Sequence, residues 1–183
     1  MKSLRESIRQ IILENCKRNS YWGVGGSGVV VLCTEDNTIY LQRRSYEVQG
    51  GAGQWGFPGG GIHVGGGRNK FHFTPIENPL DSNDPIFEDH AFEELQEEAG
   101  LYGLPRYRML DSLVSYEDCG FKFKTFIVDI SLEEKRRWNP YPTPDSEWEV
   151  DEHGWFDGQS WEQEDIYFGF TPLLLDRIGR HIG

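Results

Sequence analysis

Ala91-Phe92-Glu93-Glu94-Leu95-Gln96-Glu97-Glu98-Ala99-Gly100-Leu101 carries more information than any other stretch of this 183-residue sequence. Each residue of an α-helix advances by about 100°. With Glu94 at 0°, Glu97 falls near −60°, Glu98 near +40° and Glu93 near −100°, while Ala91, Phe92, Leu95 and Ala99 fill the arc from about +60° to about +160°. One face is therefore apolar and the other gathers four carboxylates. Glu93/Glu97 and Glu94/Glu98 are like-charge pairs at i,i+4, each costing about 0.2–0.5 kcal/mol unless a cation lies between them. Alone, the cluster fits a solvated acidic face as well as a cation site. Asp84-Pro85 supplies a capping residue and a proline at the first helical position, and Gly100 marks the helix end.

Upstream, Trp55-Gly56-Phe57-Pro58-Gly59-Gly60-Gly61 is a turn with little side-chain bulk, where backbone groups come within reach of a metal or phosphate. Hard divalent cations take oxygen ligands from carboxylates, carbonyls and water, and both neighbouring pieces offer them. Further out, the spacing predicts an amphipathic helix over residues 4–17 and strands over 28–34, 38–43, 108–114, 121–130 and 147–156. It also predicts a Pro-rich excursion over 136–145 and a helix over 171–181 carrying Leu173, Leu174, Ile178 and Ile182. Gly23, Gly25 and Gly28 form a GxGxxG pattern, but it follows a helix and opens a strand, the reverse of a dinucleotide-binding turn.

A formal charge of −12 argues against a basic nucleic-acid-binding face. Six Trp, eight Tyr and eleven Phe provide core material. No apolar run reaches the length of a membrane span, and the charged first ten residues lack a secretory stretch, so a cytoplasmic protein is expected. Cys16, Cys33 and Cys119 are too scattered for a disulfide framework or a zinc site. His63, His72 and His90 match no metal-ligand spacing and read as loop histidines. Trp138, Trp148, Trp155 and Trp161 leave a protein-interaction surface as a further alternative.

The segment from Glu94 to Leu101 resembles the second half of the Nudix hydrolase signature, G-x5-E-x7-R-E-U-x-E-E-x-G-U, with U a bulky aliphatic residue. Trp55 to Gly60 resembles the approach to its first Gly, Tyr40-Leu41-Gln42-Arg43-Arg44-Ser45 the preceding strand, and Gly154-Trp155-Phe156 the end of a later one. The signature is degenerate. Gly66 stands at the place of the box Glu, an insertion over 61–84 delays the helix, and Glu93 replaces the Arg that orients the next glutamate. An arginine restored at position 93 is accordingly expected to raise turnover.

The resemblance implies an α/β fold, a mixed sheet between helices in an α/β/α arrangement. The expectation is one domain over 1–183, with residues 1–20 a helical extension. It implies a metal-dependent hydrolase of a diphosphate linkage in a nucleoside diphosphate derivative, with Mg2+ or Mn2+. Glu94, Glu97, Glu98 and the Gly59 carbonyl would be the metal ligands, Glu94 also the general base or its partner. Arg43, Arg44 and Gly60 would meet the substrate. Because side chains alternate along a strand, only one of the two arginines can face the site. A further carboxylate would come from Glu117, Glu149 or Glu152. The partner expected is a small-molecule nucleotide, with no membrane and no nucleic acid. The departures from the signature leave a Nudix-like nucleotide-binding module without turnover as the alternative.

Overall fold

The computed structural model describes residues 23–48, 51–62, 80–100, 106–118, 120–138, 140, 148–157, 160–161, 164–166 and 169–182. The helix expected over 4–17, residues 63–79 of the insertion, His63, His72, Gly66, Cys16 and Cys119 lie outside the described residues. The chain runs through β1 (Gly25–Cys33), β2 (Thr38–Arg44), β3 (Trp55–Gly56), β4 (Gly59–Ile62), α1 (Ile86–Ala99), β5 (Tyr107–Asp118), β6 (Phe121–Ile130), α2 (Leu132–Arg137), β7 (Val150–Asp157) and α3 (Pro172–Gly179).

Among the described residues, seven strands form one mixed sheet in the order β3-β2-β1-β6-β5, with β4 paired to β1 and β7 to β2. β1 runs parallel to β6 and antiparallel to β2 and β4. It meets β4 along Gly25 to Gly28 and β2 only at Leu32 and Cys33, so the sheet parts between β4 and β2. Gly28 is required at this junction, because a Cβ there would stand 2.6 Å from the Pro58 carbonyl oxygen.

Alternation along the central strands sends side chains to two cores. Val29, Val31, Tyr40, Ile62, Phe126, Val128 and Ile130 meet Phe87, Ala91, Leu95 and Ala99 of α1. Val30, Leu32, Ile39, Leu41 and Ile127 meet Leu174, Ile178 and Ile182 from α3 and the turn beyond it on the opposite face. The expected α/β/α layering is therefore present, and each fully buried Leu or Ile contributes about 1.5–3 kcal/mol to it.

Several boundaries differ from expectation. Residues 61 and 62 belong to β4 rather than to the insertion, since Gly61 and Ile62 pair with Gly26 and Gly25. The chain re-enters the described structure at Leu80, where Lys122 donates to the Leu80 carbonyl at 3.0 Å and Lys124 to that of Ser82 at 2.8 Å. Asp84 then accepts from the Ile86 N–H at 3.0 Å to start α1, and Gly100, at φ 68°, ends it. The start of the expected Pro-rich excursion overlaps α2, whose cap Ser131 accepts from Glu134 N–H. The Ser-x-x-Glu pattern over 131–134 is the capping signal for it. Leu173 is exposed, whereas Leu174 and Ile178 of α3 are buried and Leu175 packs against the edge of the same core.

Candidate active site

α1 packs across β1 and β4, which brings its carboxylates to the gap where the sheet parts. Glu98 is 2% exposed. It was expected on the polar face; a longer wheel places it near +40°, between Phe87 near +20° and Ala91 near +60°, inside the buried stripe. Its Oε2 accepts from Gln42 Nε2 at 2.5 Å and from Gly59 N–H at 3.1 Å. Burial pushes this carboxyl well above the usual carboxylate range, and the charges of Glu94 and Glu149 push the same way against those two hydrogen bonds.

Glu94 is half-buried and lies against β4. A Cβ at Gly60 would stand 2.5 Å from Glu94 Oε1, so any side chain at position 60 would displace the end of Glu94. On its other side His90 Nε2 is 3.2 Å from the same oxygen. Glu97 is half-buried on the same helix, and Glu93 is exposed. Tyr40, on the same sheet face as Gln42, is buried. Burial, with the nearby Glu98 charge, holds its hydroxyl in the neutral form.

No family model matches the chain. No curated protein matches it by sequence. By structure it is similar to the Nudix hydrolase RenU from M. smegmatis, at 20% identity and a TM-score of 0.56 over 82% of this chain and 81% of that one. It is also similar to the Nudix domain of Shewanella oneidensis NrtR, solved with ADP ribose, at 16% identity and a TM-score of 0.53 over 86% and 87% of the two chains. The C. elegans Ap4A hydrolase follows at 11% identity and a TM-score of 0.51, over 85% and 93%. The chain has the Nudix fold. That agreement bears out the fold implied by the degenerate signature.

On this Nudix frame the two candidate arginines separate. Arg43 lies 6.0 Å over the Trp55 ring and pairs with Glu152 at 3.1 Å, on the face away from α1. Alternation along β2 implies the face of Gln42 and Glu98 for Arg44, which stands where the β2–β7 register shifts. The three candidate late carboxylates separate as well. Glu149 acts on Glu98, Glu152 is engaged with Arg43, and Glu117 is exposed on β5 opposite Lys122. Trp161 is buried in the α3-side core and Trp138 and Trp155 pack against the α1-side core, which leaves Trp148 as the exposed tryptophan of the four.

Sequence reasoning missed Ser27, Gln42 and the place of His90. His90 lies on α1, not in a loop, and its i,i+4 spacing to Glu94 was the available signal. Gln42 carried no such signal, being 56 residues from Glu98.

Among the described residues, no three His, Cys, Asp or Glu side chains form a ready-made metal cage. The donor chemistry nonetheless fits a hard, partly hydrated cation. Glu94 and Glu149 raise each other's neighbour Glu98 by charge, and Gln42 Oε1 is buried without a hydrogen-bond partner among the described residues. An excess of buried oxygen acceptors over donors is what a divalent ion relieves.

Proposed function

We propose that this protein hydrolyses the diphosphate linkage of a nucleoside diphosphate joined to another group, with Mg2+ or Mn2+ as cofactor. The observation that carries this reading is that α1 sets Glu98 on the Gly59 N–H and Glu94 against Gly60, two carboxylates side by side along one stretch of β4 backbone. Glu94, Glu97, Glu98 and the Gly59 carbonyl are the candidate metal ligands. When bound there, a divalent ion neutralises diphosphate oxygens and lowers the pKa of a water.

The chain's own groups supply the rest. Gln42 and Gly59 N–H orient Glu98 within the wall of the site. Glu149 or Glu94 takes the proton of the attacking water. Arg44, on the Gln42 face, meets a phosphate oxygen, while Arg43 is committed to Glu152 and Trp55. Glycine at position 60 keeps the approach to Glu94 open. Positioning and charge compensation account for most of phosphoryl-transfer catalysis, so this set is sufficient equipment.

The neighbours solved with ADP ribose and named for Ap4A suggest the substrate panel: nucleotide sugars, dinucleotide cofactors, dinucleoside polyphosphates and nucleoside triphosphates. The test is incubation with each in Mg2+ or Mn2+, with products identified by mass. Turnover that a chelator abolishes supports the reading. Ligand-induced stabilisation with no product from any member of the panel would replace it with the binding module. The gathered carboxylates favour the hydrolase. The described residues contain no helix long and apolar enough to cross a membrane.

A further inference from the structure

Position 93, where the Nudix signature has arginine, holds an exposed glutamate that contributes no cation to its neighbour. Glu94 is engaged from one turn earlier instead. His90 Nε2 stands 3.2 Å from Glu94 Oε1, and the two side chains are only 17% and 21% exposed. The other ring nitrogen, Nδ1, is 3.1 Å from Ser27 Oγ, and Ser27 is fully buried in β1. A serine hydroxyl donating to Nδ1 leaves Nε2 as the N–H donor to the carboxylate, which selects one ring tautomer and one ring orientation.

Ser27 also pairs with Gly60 across β1 and β4. The strand pair that walls Glu94 on one side through Gly60 therefore fixes the histidine that holds it on the other. A carboxylate confined between a donor and a backbone wall has few rotamers left to lose when it takes up a ligand.

We propose that Ser27 and His90 form a positioning pair that fixes Glu94 for cation binding and catalysis, doing from β1 and the preceding turn what an arginine at 93 would do. The proposal rests on the hydrolase reading above. His90 and Ser27 are positioning residues, since they act through Glu94.

The test compares the parent with His90→Ala, His90→Gln, Ser27→Ala, Glu93→Arg and Glu94→Gln. Three quantities are read: the Mn2+ dissociation constant without substrate, kcat and KM on the best substrate, and the thermal midpoint without metal. His90→Ala should weaken Mn2+ binding and lower kcat, each by about 10- to 100-fold, with KM within about twofold. His90→Gln, whose amide still donates across one turn, should recover most of both losses. Ser27→Ala should fall between parent and His90→Ala. Glu93→Arg should change neither by more than about twofold, in place of the gain that the signature alone led one to expect, because His90 already holds Glu94.

Mn2+ affinity unchanged in His90→Ala, or a Gln variant no better than Ala at equal folded fraction, would overturn the positioning role. If His90→Ala does not fold, the Gln and Ser27 variants decide by the same measures. Glu94→Gln separates the two claims. If it keeps full Mn2+ affinity and turnover, the site assignment fails whatever His90 does; if it loses them while His90→Ala does not, only the pair is refuted.

Discussion

Gly60 of β4 and Glu94 of α1 meet so closely that a Cβ on the glycine would lie 2.5 Å from the carboxylate Oε1 and 2.8 Å from its carbon. No real side chain sustains that approach, so strand and helix are matched at this point by the absence of one. Glu94 is half-buried, so an added methyl is met by moving the end of its side chain off the position that His90 holds, which separates the expected effects on stability and on activity.

Gly60→Ala should therefore cost about 1–3 kcal/mol in stability at most, while displacing Glu94 enough to lower kcat by about 100-fold. Chemical denaturation and steady-state kinetics on the same preparation check both. A variant with parental kcat would show that Glu94 need not stay where Gly60 allows it.

Glu98 and Glu97 should behave differently, although the wheel of residues 91–101 alone made both look inexpensive to change. Glu98→Ala leaves Gln42 Nε2 and Gly59 N–H without their acceptor and should cost about 1–3 kcal/mol as well as turnover. Glu97→Gln, on a half-buried position, should stay within about 0.5 kcal/mol of the parent and lose turnover only. Addition of Mg2+ should raise the thermal midpoint of the parent and not that of Glu98→Ala, since a ligand that binds only the folded state stabilises it.

Arg44→Gln should raise KM by about tenfold, the worth of one hydrogen bond to a charged phosphate. Arg43→Gln should leave KM within about twofold, because Arg43 is engaged with Trp55 and Glu152 rather than with the α1 face. Equal KM effects in the two variants would refute the assignment of Arg44 to the site.

Asp36 sets an acid-side dependence remote from the site. Burial works to raise its carboxyl, but hydrogen bonds from Lys135, Thr38 and Cys33 outweigh it and hold the group below its ordinary value. A depressed folded value means stability present above the unfolded value and lost as pH falls through the folded one. Asp36→Asn should thus be less stable than the parent at neutral pH by a few tenths of a kcal/mol, roughly the worth of a solvent-screened ion pair, with the gap closing as the solution is acidified below the ordinary carboxylate range. Denaturant titrations at several pH values measure the gap directly.

Local pattern was enough for much of the architecture. The apolar arc of Ala91, Leu95 and Ala99, the capping Asp84 and the closing Gly100 made α1 legible, and alternation made β6 legible over residues 121–130. These signals act between residues one to four apart, which is the range over which helical and strand periodicity operate. The same signals gathered the carboxylates of α1 and tied them to the Nudix signature.

They could not say that Glu98 would be buried under Gln42, that Ser27 would reach His90, or that Glu149 rather than Glu117 or Glu152 would act on the cluster. The first two contacts join residues 56 and 63 positions apart. Periodicity carries no information at that separation. The crossing of α1 over β1, β4 and β6 sets these contacts, because close packing of one apolar stripe against the sheet fixes where every polar group beside that stripe must come to rest.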